Sequence, residues 1–299
     1  MKPVDTSDSL VRPAGNRSKK PKMIIFSEGY VTEVGYFRAL RDWVRSGRCD
    51  VLADVVVMQR YVLQIGHSDP IRIVKLTDDY IRMIKTGIYS KTLFIGKVLE
   101  SMYSADAAGS ISEKELSKEV ESVLRDNGHL DGNGHIRVQS RAMGDVRKML
   151  ESKFSIESFE SIHDEIDYDE EIDRICIVVD RDIDCRSGEK YRQFVDGCKE
   201  RGYLPFVTNP RFELWLILHY DVSDYIESLK APLKYKSTIK RLEEKFAIDD
   251  KVIDYSRIIP LIPFAVEQVK QLCTDVSCLE RETGSNLGDL MMMLGIGGS

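Results

Sequence analysis

Three acids stand where apolar runs stop. Glu28 closes the segment Met23-Ile24-Ile25-Phe26-Ser27, and Asp180 and Asp182 close Arg174-Ile175-Cys176-Ile177-Val178-Val179. An unbroken apolar run of this length, bounded by a turn, reads as a buried strand. Alternate residues of an extended segment point the same way, so Asp180 and Asp182 can face one ion. Three carboxylates converging on one sheet edge repel each other unless a cation neutralises them. Hard divalent ions with oxygen ligands, Mg²⁺ or Mn²⁺, suit such a set. The chemistry this suggests is phosphoryl transfer or phosphodiester cleavage, in which a metal activates water and offsets charge on phosphate oxygens. Glu-Gly and Asp-x-Asp are each common alone, and acids after strands often serve as plain helix caps. What favours the metal reading is their joint placement after apolar strands of one sheet.

The elements that must position these acids can be read from hydrophobic patterning. A strand at residues 23–26 is followed by a helix in which Val34, Phe37, Leu40 and Val44 recur at helical spacing, with Gly47 at its end. A second strand is expected at residues 54–58, where Val55-Val56-Val57 is β-branched. A helix follows from Asp69, with Pro70 in its first turn. Residues 86–161 suggest helices near 92–102, 112–124 and 143–154. The third strand at 174–179, a helix at 188–201 and a fourth strand at 204–207 come next. Helices are expected at 210–220, 237–246, 263–273 and 286–294. Strands separated by helices favour a parallel sheet with right-handed crossovers. Ligands of such sheets sit beyond the carboxyl ends of the strands, where Glu28 and Asp180 fall.

Further residues near those ends carry two readings each. Glu213 interrupts the apolar stretch Phe212 to Leu218. A buried carboxylate needs a metal, a base or a backbone N–H, so Glu213 is either a fourth active-site acid or a helix-start acid. His219 is a proton shuttle or a structural histidine. Asn209 contacts substrate or caps the turn before Pro210. Arg181 and Arg211 are suited to gripping phosphate oxygens bidentately, although Arg181 between two acids can simply offset their charge. Gly29 lets the chain turn beside Glu28. Glu33 reads as a helix-start acid and Lys236 as a surface lysine that could contact phosphate. No P-loop, zinc motif or Ser-His-Asp arrangement is evident.

Composition bounds the alternatives. The chain has 299 residues, is 42% hydrophobic and carries a net charge of -6, which is ordinary for a soluble globular protein. The charge is uneven. Residues 155–184 hold twelve acids against Arg174 and Arg181, leaving the rest of the chain at +4. A polyanionic partner is therefore compatible with an acidic total. Residues 1–22, rich in Ser, Pro, Lys and Arg, read as a disordered basic arm. The six cysteines include no Cys-x-x-Cys pair, which fits free thiols in a reducing compartment. No apolar run approaches the roughly 20 residues of a membrane span, and no secretory signal opens the chain, so a cytoplasmic address is expected.

Glu-Gly after one strand and Asp-x-Asp after a later one resemble the Toprim domain of topoisomerases, primases and OLD-type nucleases. A closer resemblance is to the RloB-like family of prokaryotic proteins. It rests on Glu28, Gly29, Thr32, Glu33, Tyr36 and Phe37, on Asp180 to Asp182, and on Asn209, Pro210 and Phe212 to Trp215 with His219. Tyr235-Lys236-Ser237 and residues 283–294 are similar to later elements of that family. The resemblance covers roughly residues 22–86 and 172–295. It implies an α/β fold with a Toprim-like parallel sheet flanked by helices, a mainly helical insertion and a C-terminal helical region. The corresponding division is a basic arm at 1–22, a core at 23–86 and 172–220, an insertion with an acidic connector at 87–171, and a helical region at 221–299. It further implies a Mg²⁺- or Mn²⁺-dependent nuclease acting on DNA or RNA in anti-phage defence. Glu28 would be general acid/base or metal ligand, Asp180 and Asp182 metal ligands. An ATPase partner and a homo-oligomer belong to the same expectation. Two other readings compete: a non-catalytic sensor whose insertion docks a partner, and an enzyme acting on mononucleotides.

Overall fold

The computed structural model describes residues 20–29, 31–47, 52–58, 70–104, 111–154, 168–181, 187–249 and 253–297. The arm up to residue 19, the connector at 155–167, and Asp182 and Asp184 lie outside the described residues. In chain order the elements are β1 (Lys22–Ser27), α1 (Thr32–Arg45), β2 (Asp54–Met58), α2 (Pro70–Thr86), α3 (Lys91–Ser104), α4 (Glu113–Asp126) and α5 (Gln139–Phe154). They continue with β3 (Arg174–Asp180), α6 (Gly188–Glu200), β4 (Leu204–Asn209), α7 (Glu213–Ile217), α8 (Ile226–Lys230) and α9 (Tyr235–Phe246). The chain ends with α10 (Tyr255–Ile258), α11 (Ile262–Val269), β5 (Gly284–Ser285) and α12 (Leu287–Met293).

The fold is α/β. One sheet has the order β2-β1-β3-β4-β5, parallel throughout except for β5, which runs antiparallel to β4. Both faces are covered, which is why the strands are continuously apolar rather than alternating. Ile24 and Phe26 of β1 join Ile175, Ile177 and Val179 of β3 in a core shared with α2 to α6. Met23 and Ile25 join Cys176 and Val178 in a second core with α1 and the C-terminal helices. The period of two along each strand distributes its side chains between these cores. Helices α3 to α5 therefore belong to a core continuous with the sheet. They stack in succession onto α2, which itself touches β1 and β3.

Several local signals act as the sequence suggests. Ser112 and Ser187 cap α4 and α6 by accepting from the N–H groups of Glu115 and Lys190. Gly47, at φ 71°, ends the turn after α1. Others differ. The helix expected at 210–220 has only the five residues of α7, and the one expected at 263–273 stops at Val269. The chain then makes a turn, a short 3-10 segment at Cys278–Glu280 and the two-residue strand β5. Asp173, one of the twelve acids of residues 155–184, is buried. Its carboxylate accepts from the Lys22 backbone N–H at 2.8 Å, the Lys22 ammonium at 2.9 Å and the Asp169 N–H at 2.9 Å. That pairing offsets the cost of burying the charge and ties the start of β1 to the start of β3. No helix among the described residues is long and apolar enough to cross a membrane.

Candidate functional site

The site lies at the carboxyl ends of β1, β3 and β4. Strand register sets its centre, since Ser27 of β1 pairs with Val178 of β3. The next residue, Glu28, donates its backbone N–H to the Val178 carbonyl at 2.8 Å. Its carboxylate accepts from the Asp180 N–H at 3.2 Å. The two acids singled out in the sequence are thus adjacent, joined side chain to backbone across neighbouring parallel strands. Asp180 pairs on its other side with Thr208 of β4.

A third carboxylate arrives from α1. Glu33 opens the first turn of that helix, and its side chain reaches back to accept from the Gly29 N–H at 3.1 Å. A Cβ at position 29 would fall 1.7 Å from a Glu33 carboxylate oxygen. A side chain at 29 would therefore push the Glu33 carboxyl out of the place where it meets the Gly29 N–H. Glu33 is buried, and its pKa is raised to about 7. Burial is the main cause, and the negative charges of Glu213 and Glu28 add to it. Glu33 thus gives up its proton far less readily than an ordinary carboxyl. Sequence alone reads it as one more acid at a helix start. The available clue is Gly29 one residue after Glu28 and four before Glu33.

Glu213 enters from the first turn of α7 and is half-buried. Its carboxylate lies 3.5 Å from the Arg211 guanidinium, which also pairs with Glu243 of α9 at 2.5 Å. Arg211 and Glu213 line a cavity of about 590 Å³ with Lys240, Glu243, Glu244 and Asp249. Arg211 is thus held between two acids rather than presented alone.

The remaining candidates take supporting positions. Arg181 is buried, donates from Nε to the Glu280 carbonyl at 2.9 Å, and lies 5.1 Å from the Tyr191 ring centroid. Asn209 is fully buried before a cis peptide bond to Pro210, and its Nδ2 donates to the carbonyls of Leu279 at 2.9 Å and Glu282 at 2.8 Å. The residue before α7 is Phe212, without a side-chain cap. Arg181 and Asn209 therefore both grip the segment 279–282. Just beyond it, Asn286 accepts from the Val207 N–H at 2.6 Å and donates to the Pro205 carbonyl at 2.9 Å. The Ser285 and Thr208 hydroxyls bond at 2.9 Å. This polar closing segment completes the sheet beside the site. Lys236 is exposed on α9, near the ring of its neighbour Tyr235.

His219 lies inside the second core. Trp215 Nε1–H donates to Tyr36 Oη at 2.9 Å, and Tyr36 Oη is 3.2 Å from His219 Nε2. His219 Nδ1 is 2.9 Å from the Trp215 carbonyl, which can only accept. The chain of donors is consistent when His219 is neutral with its proton on Nδ1, so that Nε2 accepts from Tyr36. Burial lowers the His219 pKa to about 4. The unfolded chain, with an ordinary pKa near 6.5, binds this proton first as pH falls. The stabilisation is thus complete above about pH 6.5 and is lost as pH falls through about 4, amounting to about 3 kcal/mol from this group. Urea titrations at pH 7 and pH 4 should show that loss in the wild type beyond what His219→Gln shows. Equal losses in both proteins would remove His219 as the cause.

Among the described residues, no group of three or more His, Cys, Asp and Glu side chains could hold a metal ion as placed. The donor chemistry nonetheless suits a hard cation. Glu28, Asp180 and Glu33 all offer carboxylate oxygens, and Glu33 is raised first by burial and then by the negative charges of Glu213 and Glu28, which a cation would offset. A protein-family model described as RloB-like protein matches residues 23–294. No curated protein and no solved structure matches the chain.

Proposed function

The chain belongs to the RloB-like protein family, and from that premise we propose that it is a metal-dependent nuclease of the Toprim type, hydrolysing phosphodiester bonds of nucleic acid. The observation that carries this reading is the hydrogen bond from the Asp180 N–H to the Glu28 carboxylate at the strand ends. It brings together acids 152 residues apart in the chain. Glu33, raised to about 7 beside them, adds a group able to exchange protons at neutral pH.

Glu28, Asp180 and Glu33 are the described residues that would hold a divalent cation, with Asp182 expected to join from two residues beyond Asp180. Such an ion supplies Lewis-acid polarisation of a phosphate oxygen and a lowered pKa for bound water. Glu33, its pKa raised to about 7, would accept a proton from an attacking water or give one to a leaving oxygen. Glu213 keeps Arg211 beside the acids, where the guanidinium can meet the phosphate of an incoming chain. The closing segment held by Asn209 and Arg181 fixes the strand ends from which these groups project. Defence against foreign nucleic acid and an ATPase partner are part of the same proposal, drawn from the family resemblance.

Purified protein incubated with DNA, RNA and tRNA in Mg²⁺ or Mn²⁺ tests the reading. Cleavage should appear in the wild type, vanish with excess chelator and vanish in Asp180→Ala. Identical products from wild type and Asp180→Ala would end the hydrolase assignment. Products released only from mononucleotides would replace it with small-molecule phosphate chemistry.

A further inference from the structure

Helix α9 carries more than the Glu243 that reaches Arg211. Its residues Arg241 and Lys245 are one turn apart on an exposed face. The Arg241 guanidinium and the Lys245 ammonium each lie 5.0 Å from the Tyr225 ring centroid. Arg241 also donates to Tyr225 Oη at 3.0 Å. Lys245 is 5.0 Å from the Phe246 ring as well. Phe246 stacks on Tyr220, centroids 4.5 Å apart and 9° from parallel. All three rings are half-buried, so each keeps part of its surface open. Arg257 adds positive charge near Tyr220. Among acids nearby, Asp221 lies close to Lys245, and its carboxylate accepts from the N–H and hydroxyl of Ser223, while Asp224 and Glu244 are exposed neighbours of Tyr225 and Lys245 in the chain.

The combination of flat rings and cations is specific in what it fits. Bases of an unpaired strand stack on aromatic rings, while neighbouring phosphates meet Arg and Lys. A duplex keeps its bases inside and offers only phosphates to such a surface. The platform also has a direction. Lys240 and Glu243 face the cavity shared with Arg211 and Glu213, while Arg241 and Lys245 project about 100° round the same helix. We infer that Tyr220, Tyr225 and Phe246, with Arg241 and Lys245, form a binding platform for single-stranded nucleic acid beside the carboxylate site. The inference rests on the nuclease reading for its purpose and on the rings and cations for its substrate class.

The test measures binding with the full chain in excess chelator, where cleavage is off. Fluorescence anisotropy would follow labelled 20-nucleotide oligo-dT and oligo-U and a duplex of equal length, with polyglutamate as competitor. Both single strands should bind at least tenfold more tightly than the duplex, and polyglutamate should compete poorly. The double substitution Arg241→Gln, Lys245→Gln should weaken oligo-dT binding about tenfold and reduce the slope of log K against log salt by about 1.4, since each phosphate contact to a single strand contributes about 0.7. Tyr225→Leu should weaken binding at least fivefold, and Tyr225→Phe, which keeps the ring, should restore it. Equal affinity for duplex, displacement by polyglutamate, an unchanged salt slope or wild-type binding by Tyr225→Leu would each overturn the inference. A chain that binds oligo-dT this way but cuts nothing in Mg²⁺ keeps the platform and loses the nuclease. A chain that cuts and yet ignores all these substitutions loses the platform alone.

Discussion

Glu28→Gln is expected to cut phosphodiester cleavage at least about a hundredfold while leaving the fold intact. The amide keeps an oxygen that can accept from the Asp180 N–H, so the contact at the strand ends survives. What disappears is a negative charge at the place where a cation would sit. A metal contributes several kcal/mol to the stabilisation of transition-state charge, and each 1.36 kcal/mol is a factor of ten in rate. Losing one ligand charge should therefore cost two decades or more in turnover. A second readout separates this from a structural effect. Removing the Glu28 charge takes away one of the causes that raise Glu33, so the Glu33 carboxyl should titrate at lower pH. Kinetics at saturating substrate, thermal melting and carboxyl titration by NMR would check the three parts. A variant that cleaves at the wild-type rate with an unaltered melt would remove Glu28 from the chemistry.

Gly284→Ala is expected to be the most damaging single methyl group in the closing segment. A Cβ at 284 would lie 1.9 Å from the Cys273 carbonyl oxygen and 2.7 Å from its carbonyl carbon and backbone nitrogen. These are backbone atoms, so no side chain can swing aside. The two backbones are locked by Cys273 N–H to Thr283 O at 3.2 Å and Ser285 N–H to Cys273 O at 3.0 Å. Relief requires moving β5 away from its neighbour. The expected cost is about 3 kcal/mol, at the upper end of overpacking. For a chain of this size that lowers the melting temperature by about 5 °C. Cleavage should fall too, because displacement of 284 loosens the carbonyls of 279–282 that Asn209 and Arg181 hold. Calorimetry and a cleavage assay at 20 °C would measure both. An unchanged melting temperature would show that the strand shifts freely.

The parallel part of the sheet was legible because burial on both faces leaves a plain mark. Val55-Val56-Val57 and Ile175 to Val179 admit few other readings, and both form strands where expected. The α/β class followed from the alternation of strands with helices. β5 was not legible: two residues, one of them glycine, carry no hydrophobic period, and their strand character comes from pairing with Thr208 and Asn209. The end of α7 was hidden for the opposite reason. Its apolar run continues through Leu218 because the whole stretch is buried, whether helical or not. At the site, the neighbourhood of Glu28 and Asp180 could be read from chain order and the strand-end rule. The partners of Asn209 and Arg181 could not, since they are backbone carbonyls 70 and 99 residues away. Side chain to backbone bonds of that span leave no trace in local composition. Glu33 shows a subtler failure. An acid in a first helical turn is common, and only the space vacated at Gly29 distinguishes this one.

The grip of Asn209 and Arg181 on residues 279–282 also sets an order on events during synthesis. A ribosome releases Glu28, Glu33 and Asp180 long before it reaches the segment that seats Asn209. The nascent sheet can pair β1, β2, β3 and β4 while its last edge is still open. Only after residue 286 has emerged can Asn286 bond Val207 and Pro205 and close that edge. A polypeptide interrupted before residue 279 would carry all the acids and none of the clasp. A segment made late thus fastens a site whose acids were made early, so the acids at the strand ends are complete before the frame that holds them is.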